Sequence, residues 1–355
     1  MAWQEIEGHD AIAARFAAAE AAGRVAGSYL FTGPAGVGKG TFARMLAMAL
    51  ACERPAAGLV ACRGCRSCLQ ALAGTHPDID LVEKPAERST IPLELLIGSP
   101  EQRLREGLCW RLLLRPAVAP RKIAILLDAD HLSEEAANCL LKTLEEPPPG
   151  AVVILVGTTL ERQLPTIRSR CQTVRFSPLS AAAISEILAR ERQAEGATDE
   201  EHEPAAADLA AAAAAAGGSL HRARLLLNGE VAAFREKLIS LLERRPLPGV
   251  ELSRETLSVV EAAGKEPPVR RARLRIILET AVEFFRAGLW QAVGGNPPAA
   301  DRLAAAAQRW MPAAVEAESC LAHTLDAVAA IDRNANLPIL IDAWSTRLEK
   351  AVARG

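Results

Sequence analysis

Short apolar runs alternate with helix-period patterns over the first half of the chain, and after Pro178 only the helical period continues. Residues 29–32 (YLFT), 80–82 (DLV), 123–127 (IAILL) and 152–156 (VVILV) are short runs flanked by Gly, Pro or charge. Two of them are apolar throughout, as expected of strands buried on both faces of a parallel sheet. Between them the period changes to that of a helix. Phe42, Met45, Leu46, Ala49 and Leu50 share one face. Ser133 is placed to cap a second helix, with Glu134 and Glu135 in its first turn, Leu140, Leu141 and Leu144 turned inward, and three prolines from Pro147 to end it. This order predicts an α/β domain.

The second half predicts helices only. One spans about 180–192 and a charged linker covers 195–203. An alanine-rich helix follows, ended by Gly217 and Gly218, and another begins near Ser219. From about Val231 the pattern is amphipathic, interrupted at 246–249, 267–268, 297–298 and 312. The last helix has Asn336 as its expected cap, Pro338 in its first turn, and Leu337, Leu340, Ile341, Trp344 and Leu348 on one stripe. The expected division is an α/β domain over 1–178, a small helical domain over 179–230, and a helical domain over 231–355.

Composition narrows the possibilities. Lys and Arg total 41 against 43 Asp and Glu, a net charge of −2, which excludes a wholly basic nucleic-acid coat and an acidic tail protein. Half of the 355 residues are apolar but only 4% are aromatic, which favours closely packed helices over a β-sandwich. The first ten residues carry no basic region followed by an apolar one, and no uncharged apolar stretch reaches membrane-spanning length. A cytoplasmic, non-membrane protein is expected, with its eight cysteines outside disulfides.

Gly33-Pro-Ala-Gly36-Val-Gly38-Lys39-Gly40-Thr41 follows a predicted strand and opens a predicted helix, the context of a phosphate-binding loop. Its glycines let backbone N–H groups surround phosphate oxygens, the helix N-terminus adds positive potential, and Lys39 neutralises charge. Gly40 departs from the pattern, because a Ser or Thr normally follows the lysine to hold Mg²⁺; Thr41 stands one place late. A glycine-rich turn that binds nothing is the alternative. The apolar run 123–127 ends in Asp128, placed to hold Mg²⁺ through water. Ala129 follows where an ATPase normally has Glu, and Asp130, in extended backbone, would point to the other face. ATP binding is therefore doubtful and hydrolysis by this chain is expected to be lost.

Cys52, Cys62, Cys65 and Cys68 form C-x9-C-x2-C-x2-C. Four thiolates close a tetrahedral Zn²⁺ site, and such short spacings converge without long-range folding. Filling all four positions with protein favours a structural zinc over a catalytic one. Free thiols and an iron–sulfur cluster are the alternatives. Cys109, Cys139, Cys171 and Cys320 are scattered and expected to be buried or incidental.

In chain order, the phosphate loop, the four-cysteine insert, Thr75-His76-Pro77-Asp78, residues 140–147 (LLKTLEEP) and residues 164–171 (LPTIRSRC) resemble the subunits of bacterial DNA polymerase III clamp loaders, which belong to the AAA+ class. The likeness covers the first 180 residues closely. It extends more weakly through Gly218-Ser219 and Asn334-Ala-Asn336. The altered loop and missing Glu look like the non-hydrolysing members of the family rather than the hydrolysing gamma/tau members. His221 stands where active members place an Arg that senses the γ-phosphate, with Arg222 displaced by one. By resemblance, Thr159 takes the γ-phosphate-sensing place at a strand end, and Arg170 is the arginine that reaches into a neighbouring subunit's ATP site. The third domain is implied to join a helical collar. Implied partners are the gamma/tau and delta subunits and, through the complex, the sliding clamp and primed DNA.

Departures from the family are Gly27-Ser28 before the first strand, a long first cysteine gap, and a charged segment, 98–107, with no assigned role. Two other readings stay open. The Gly-Lys-Gly-Thr loop also looks like that of adenylate kinases, against which stand the cysteine cluster, the SRC segment and the long helical C-terminus. An active clamp-loader ATPase with an unusual base is the other, and Ala129 speaks against it. The basic run Arg270-Arg-Ala-Arg273-Leu-Arg275 invites a DNA reading, but without interleaved aromatics it reads more simply as a solvated helix face.

Overall fold

Alternate residues of the buried strands reach opposite faces of one sheet, and both faces are covered. In the computed structural model, five parallel strands lie in the order β2-β3-β4-β1-β5. The structure describes residues 3, 6–85, 88, 90–103, 105–195, 206–295, 302–310 and 312–353. It divides into two units, 1–223 and 224–355.

In the first unit α1 (Asp10–Ala21) precedes β1 (Ser28–Thr32), α2 (Lys39–Ala51) and α3 (Arg66–Leu72). Next come β2 (Ile79–Val82), the short α4 (Leu93–Ile97) and α5 (Gly107–Leu113), and β3 (Ile123–Leu126) with α6 (Glu134–Glu145). Then follow β4 (Val152–Val156), α7 (Pro165–Arg168), β5 (Gln172–Arg175), α8 (Ala181–Glu195) and α9 (Ala206–Ala215). Tyr29, Phe31, Ile123, Ile125, Val152 and Ile154 enter one core with Phe16 of α1 and Phe42 of α2. Leu30, Ala124, Leu126, Val153 and Leu155 enter the other with Leu140 and Leu144 of α6. Burial on both faces is why β3 and β4 are apolar throughout.

The four runs read as strands from sequence are all strands. The fifth, β5, was not expected, and it lies at the sheet edge beside β1, where only Val174 of its four residues is buried. An edge strand covered so thinly carries almost no apolar signal. Ser133 caps α6, accepting a hydrogen bond from the Ala136 amide at 3.2 Å, a contact worth about 1 kcal/mol. The segment 98–107 closes on itself: both end glycines have positive φ, and a β-carbon on Gly107 would stand 2.6 Å from the Gly98 nitrogen.

The division between units falls within α10 (Leu220–Leu226). The second unit contains α11 (Gly229–Leu242), α12 (Gly249–Ala262), α13 (Pro267–Ala292), α14 (Arg302–Trp310), α15 (Ala314–Asp332) and α16 (Leu337–Val352). Its core gathers Phe284, Phe285, Trp310 and Trp344, and the Trp344 indole N–H donates to Thr324 Oγ1 at 3.1 Å. Asn336 caps α16 as expected, accepting from the Ile339 amide, and Ile341, Trp344 and Leu348 of the expected stripe are fully inside. The expected linker beyond Glu195 and the break at 297–298 lie outside the described residues. Among the described residues, no helix is long and apolar enough to cross a membrane.

Candidate functional site

The loop between β1 and α2 starts where β1 leaves the sheet. Gly33 donates its amide to the Thr158 carbonyl at 2.7 Å, and a side chain there would strike the Phe176 carbonyl. Gly38 takes a left-handed conformation as the residue before α2. His9, which sequence reasoning missed, braces the loop from α1's end, its Nε2 standing 2.8 Å from the Val37 carbonyl. Lys39 is buried and its ammonium donates to the carbonyls of Gly33 and Pro34, each at 2.6 Å. Burial lowers its pKa from 10.5 to about 8, while the carboxylate of Asp130 pulls in the opposite direction. The start of α10 closes on the loop. Leu220 donates its amide to the Gly36 carbonyl at 3.0 Å, and a β-carbon on Gly36 would stand 2.9 Å from His221 Cβ. Both expected lid features, Ser219 and His221, therefore meet the phosphate loop.

The acidic end of β3 differs from expectation. Asp128 is exposed and left-handed (φ 56°), so the backbone turns sharply there into a short 3₁₀ segment. The side chain nearest Gly40 belongs to Leu127: a β-carbon on Gly40 would lie 3.5 Å from Leu127 Cδ2. Asp130 is not carried to the other face, because that turn replaces extended backbone. Its carboxylate accepts the Thr158 amide (2.9 and 3.1 Å), the Thr158 hydroxyl (2.7 Å) and the Gln163 side-chain amide. Thr158, rather than the expected Thr159, therefore joins the end of β4 to the loop. Thr159 is exposed, and its side chain hydrogen-bonds Glu161. Thr41 is also exposed.

Arg170 follows α7 and is held within its own chain. Its guanidinium pairs with Glu145, at the C-terminus of α6, and donates to the Thr166 carbonyl at 3.0 Å and Ser169 Oγ at 3.1 Å. Sequence reasoning missed Glu145 as its partner, although it lies in the LLKTLEEP stretch.

The four cysteines converge. Their sulfurs lie within 4.8 Å of one another, with Cys52 and Cys65 at 4.0 Å. Four thiolates on one tetrahedral zinc stand roughly 3.8 Å apart, so the set fits a single ion, and these residues can hold a metal. The Cys62 thiol, exposed and facing the amides of Gly64 and Cys65, is lowered to about 6. Burial raises the thiols of Cys52 and Cys68. Outside the cluster, burial pushes Cys171 and Cys320 up to about 12, which fits inert core thiols.

The THPD stretch ties this module to the sheet. His76 Nδ1 accepts the Asp78 amide at 3.0 Å, so Nε2 carries the proton and donates to Ser67 Oγ at 2.8 Å. Ser67 in turn donates to the Ala51 carbonyl at 2.6 Å. That polarity is the reverse of a nucleophile and its base, which marks the pair as structural. Asp78 is fully buried and accepts the amides of Ala117, Val118 and Ala119 at 2.7–2.8 Å beside Lys122 at 3.0 Å. Burial alone would raise its pKa, but these donors outweigh it and bring it to about 2.

The fold thus brings Gly33, Gly36, Gly38, Lys39 and Gly40 together with Asp130 and Thr158. Asp128, Thr159 and Thr41 are exposed, and Arg170 and the cysteine cluster form separate groups. A family model described as DNA polymerase III, delta subunit, matches residues 8–180. Subunit delta' of DNA polymerase III from Pseudomonas aeruginosa is 39% identical over 167 residues, 46% of this chain and 47% of that protein. The delta' subunit from Bacillus subtilis is 34% identical over 165 residues, 46% of each. The gamma/tau subunit from Mycobacterium tuberculosis is 34% identical over 194 residues, 54% of this chain and 31% of that one. These matches span about half the length of the delta' relatives. A solved gamma-subunit-related protein from Thermotoga maritima is 18% identical, covering 92% of this chain and 94% of that one with a TM-score of 0.43.

Residues 8–180 are similar to subunits of DNA polymerase III. Within that class their likeness is to the delta-prime subunit.

Proposed function

We propose that this chain works as a delta-prime-type subunit of a DNA polymerase III clamp loader, without hydrolysing ATP itself. The observation that carries the reading is the apposition of Gly40 and Leu127. A hydroxyl after the loop lysine and a carboxylate at the end of the neighbouring strand hold Mg²⁺ in phosphoryl-transfer sites. Gly40 supplies no hydroxyl, its nearest neighbour Leu127 is apolar, and Asp128 beyond it is exposed. The loop amides and Lys39 are still able to receive an oxyanion, so nucleotide binding without turnover fits this site better than catalysis.

In this reading Arg170 leaves Glu145 and enters the ATP site of a neighbouring gamma/tau-type subunit, where an arginine supplied in trans stabilises charge on the transferring phosphoryl group. Residues 1–178 carry the phosphate loop, 179–230 act as the lid, and 231–355 join a helical collar. Cys52, Cys62, Cys65 and Cys68 hold a structural zinc. The assembly, containing gamma/tau and delta subunits, loads a sliding clamp onto primed DNA in the cytoplasm.

The test is DNA- and clamp-stimulated ATP hydrolysis by a complex reconstituted with gamma/tau and delta subunits, comparing the native chain with Arg170→Ala. An inert lone chain, together with a rate cut by about tenfold or more in the variant complex, is the expected result. Turnover by the lone chain would point instead to an active gamma/tau-like ATPase. An unchanged rate in an intact complex would remove Arg170 from the mechanism.

A further inference from the structure

The basic run at the start of α13 divides into two pairs with different surroundings. Arg273 donates to Glu230 at 2.8 Å and to the Val259 carbonyl at 3.2 Å, and Arg275 pairs with Asp332. Those two charges are neutralised within the unit. Arg270 and Arg271 instead line a cavity of about 350 Å³ contained wholly in the second unit. Arg270 spends only its Nε, on the Gly264 carbonyl at 2.5 Å. Arg271 Nε is shielded from solvent with no hydrogen-bond partner, a donor that lacks its acceptor. A buried unpaired N–H of this kind costs roughly 1–3 kcal/mol.

Positive charge predominates around it. Lys265 adds a third cation to the lining, and Glu261 is the one acid there. The N-termini of two long helices, α13 with 26 residues and α16 with 16, open on the same cavity, and each adds positive potential. Pro267, Pro268 and Pro338 remove backbone donors from those first turns, and the Asn336 side chain already occupies the Ile339 amide. Hydrogen bonds to an incoming anion therefore fall to the guanidinium groups, whose forked donors match the oxygens of a phosphate. Val260 and Leu257 form an apolar wall continuous with the core, which suits the body of a small organic ligand.

We propose that this cavity binds a phosphate ester, a free nucleotide or the terminal phosphate of a nucleic acid strand, through Arg270 and Arg271. Its basic groups cluster around one pocket and do not form a stripe, and no aromatic ring lines it for stacking, so it takes one phosphate group in place of a tract of backbone. The site is independent of the phosphate loop and of the role proposed above.

The test uses the full chain in titration calorimetry with inorganic phosphate, a nucleoside 5′-monophosphate, and a short single-stranded oligonucleotide with and without a 5′-phosphate. Arg270→Gln/Arg271→Gln is expected to weaken phosphate-dependent binding by about tenfold or more with its melting temperature preserved. Lys39→Met, which disables the loop, leaves that binding in place. Equal affinity for the monophosphate and the 5′-phosphorylated strand assigns the site to a free nucleotide; tighter binding of the strand assigns it to a nucleic-acid end. Binding that follows Lys39 and ignores both arginines overturns the proposal. Should the double variant not fold, Arg271→Lys keeps the charge without the fork, and unaltered phosphate affinity there also overturns it.

Discussion

Leu127 lies against Gly40 so closely that a β-carbon added to the glycine would be in van der Waals contact with it, 3.5 Å from Cδ2. Gly40 stands where a loop hydroxyl would help grip Mg²⁺ and has none, and the side chain nearest to it is apolar. The double substitution Gly40→Ser/Leu127→Asp is expected to confer magnesium-dependent tightening of ATP binding by about tenfold or more, whereas either change alone gives little. Binding of a fluorescent ATP analogue, titrated with and without Mg²⁺, measures it. An additive response from the single variants would show that the pair does not form one site.

Asp78 anchors three successive amides and Lys122 with its side chain fully buried. Its pKa falls from 3.8 to about 2 on folding. A carboxylate depressed in the folded state contributes stability that is fully present above the unfolded value, and that is lost as pH falls through the folded one. The contribution near neutrality is about 2 kcal/mol. Asp78→Asn is therefore expected to unfold more readily than the native chain at pH 7, with the gap closing between about pH 4 and pH 2. Chemical denaturation across that range reads the effect, and a gap independent of pH would assign the loss to packing.

The parallel sheet was legible from sequence because its inner strands are apolar on both faces. β5 was not, since an edge strand with one buried residue looks like loop. Helix ends at Ser133 and Asn336 were visible through their capping side chains. The cysteine cluster was readable for a different reason: short spacing alone brings four sulfurs together. The acidic end of β3 was misread because extended backbone was assumed beyond Leu127, whereas the left-handed Asp128 turns Asp130 back towards Thr158. The Arg170–Glu145 pair joins positions 25 apart in sequence, and no local pattern announces it.

Metal removal should act on the module before the sheet. Cys65 and Cys68 are buried and sit at the start of α3, where the Cys65 sulfur also accepts the Cys68 amide at 3.4 Å. If the four sulfurs hold zinc, Cys65→Ser/Cys68→Ser abolishes stoichiometric zinc in the purified chain and lowers the melting temperature. Elemental analysis with calorimetry measures both. Ser67 and His76 tie the module to α2 and β2 through their own hydrogen bonds, so far-ultraviolet circular dichroism should keep the sheet signal. Metal-free native protein with an unaltered melting temperature would reject a structural ion.

The Arg170–Glu145 pair makes the last prediction. Glu145 is about half exposed, its side chain at 48%, so the ion pair contributes little to stability, on the order of 0–1 kcal/mol. Glu145→Gln is thus expected to leave the melting temperature nearly unchanged. An arginine that must leave this pair to act on a neighbouring subunit is released more easily when the partner charge is gone. In the reconstituted complex, stimulated ATP hydrolysis should rise about two- to fivefold with Glu145→Gln, and the gain should shrink at high salt, which screens the native pair. Combining it with Arg170→Ala should erase the gain, because the substitution acts only through the guanidinium. A gain that survives in the double variant would place the effect of Glu145 elsewhere in the LLKTLEEP segment, and an unchanged rate would show that release of Arg170 does not limit the reaction.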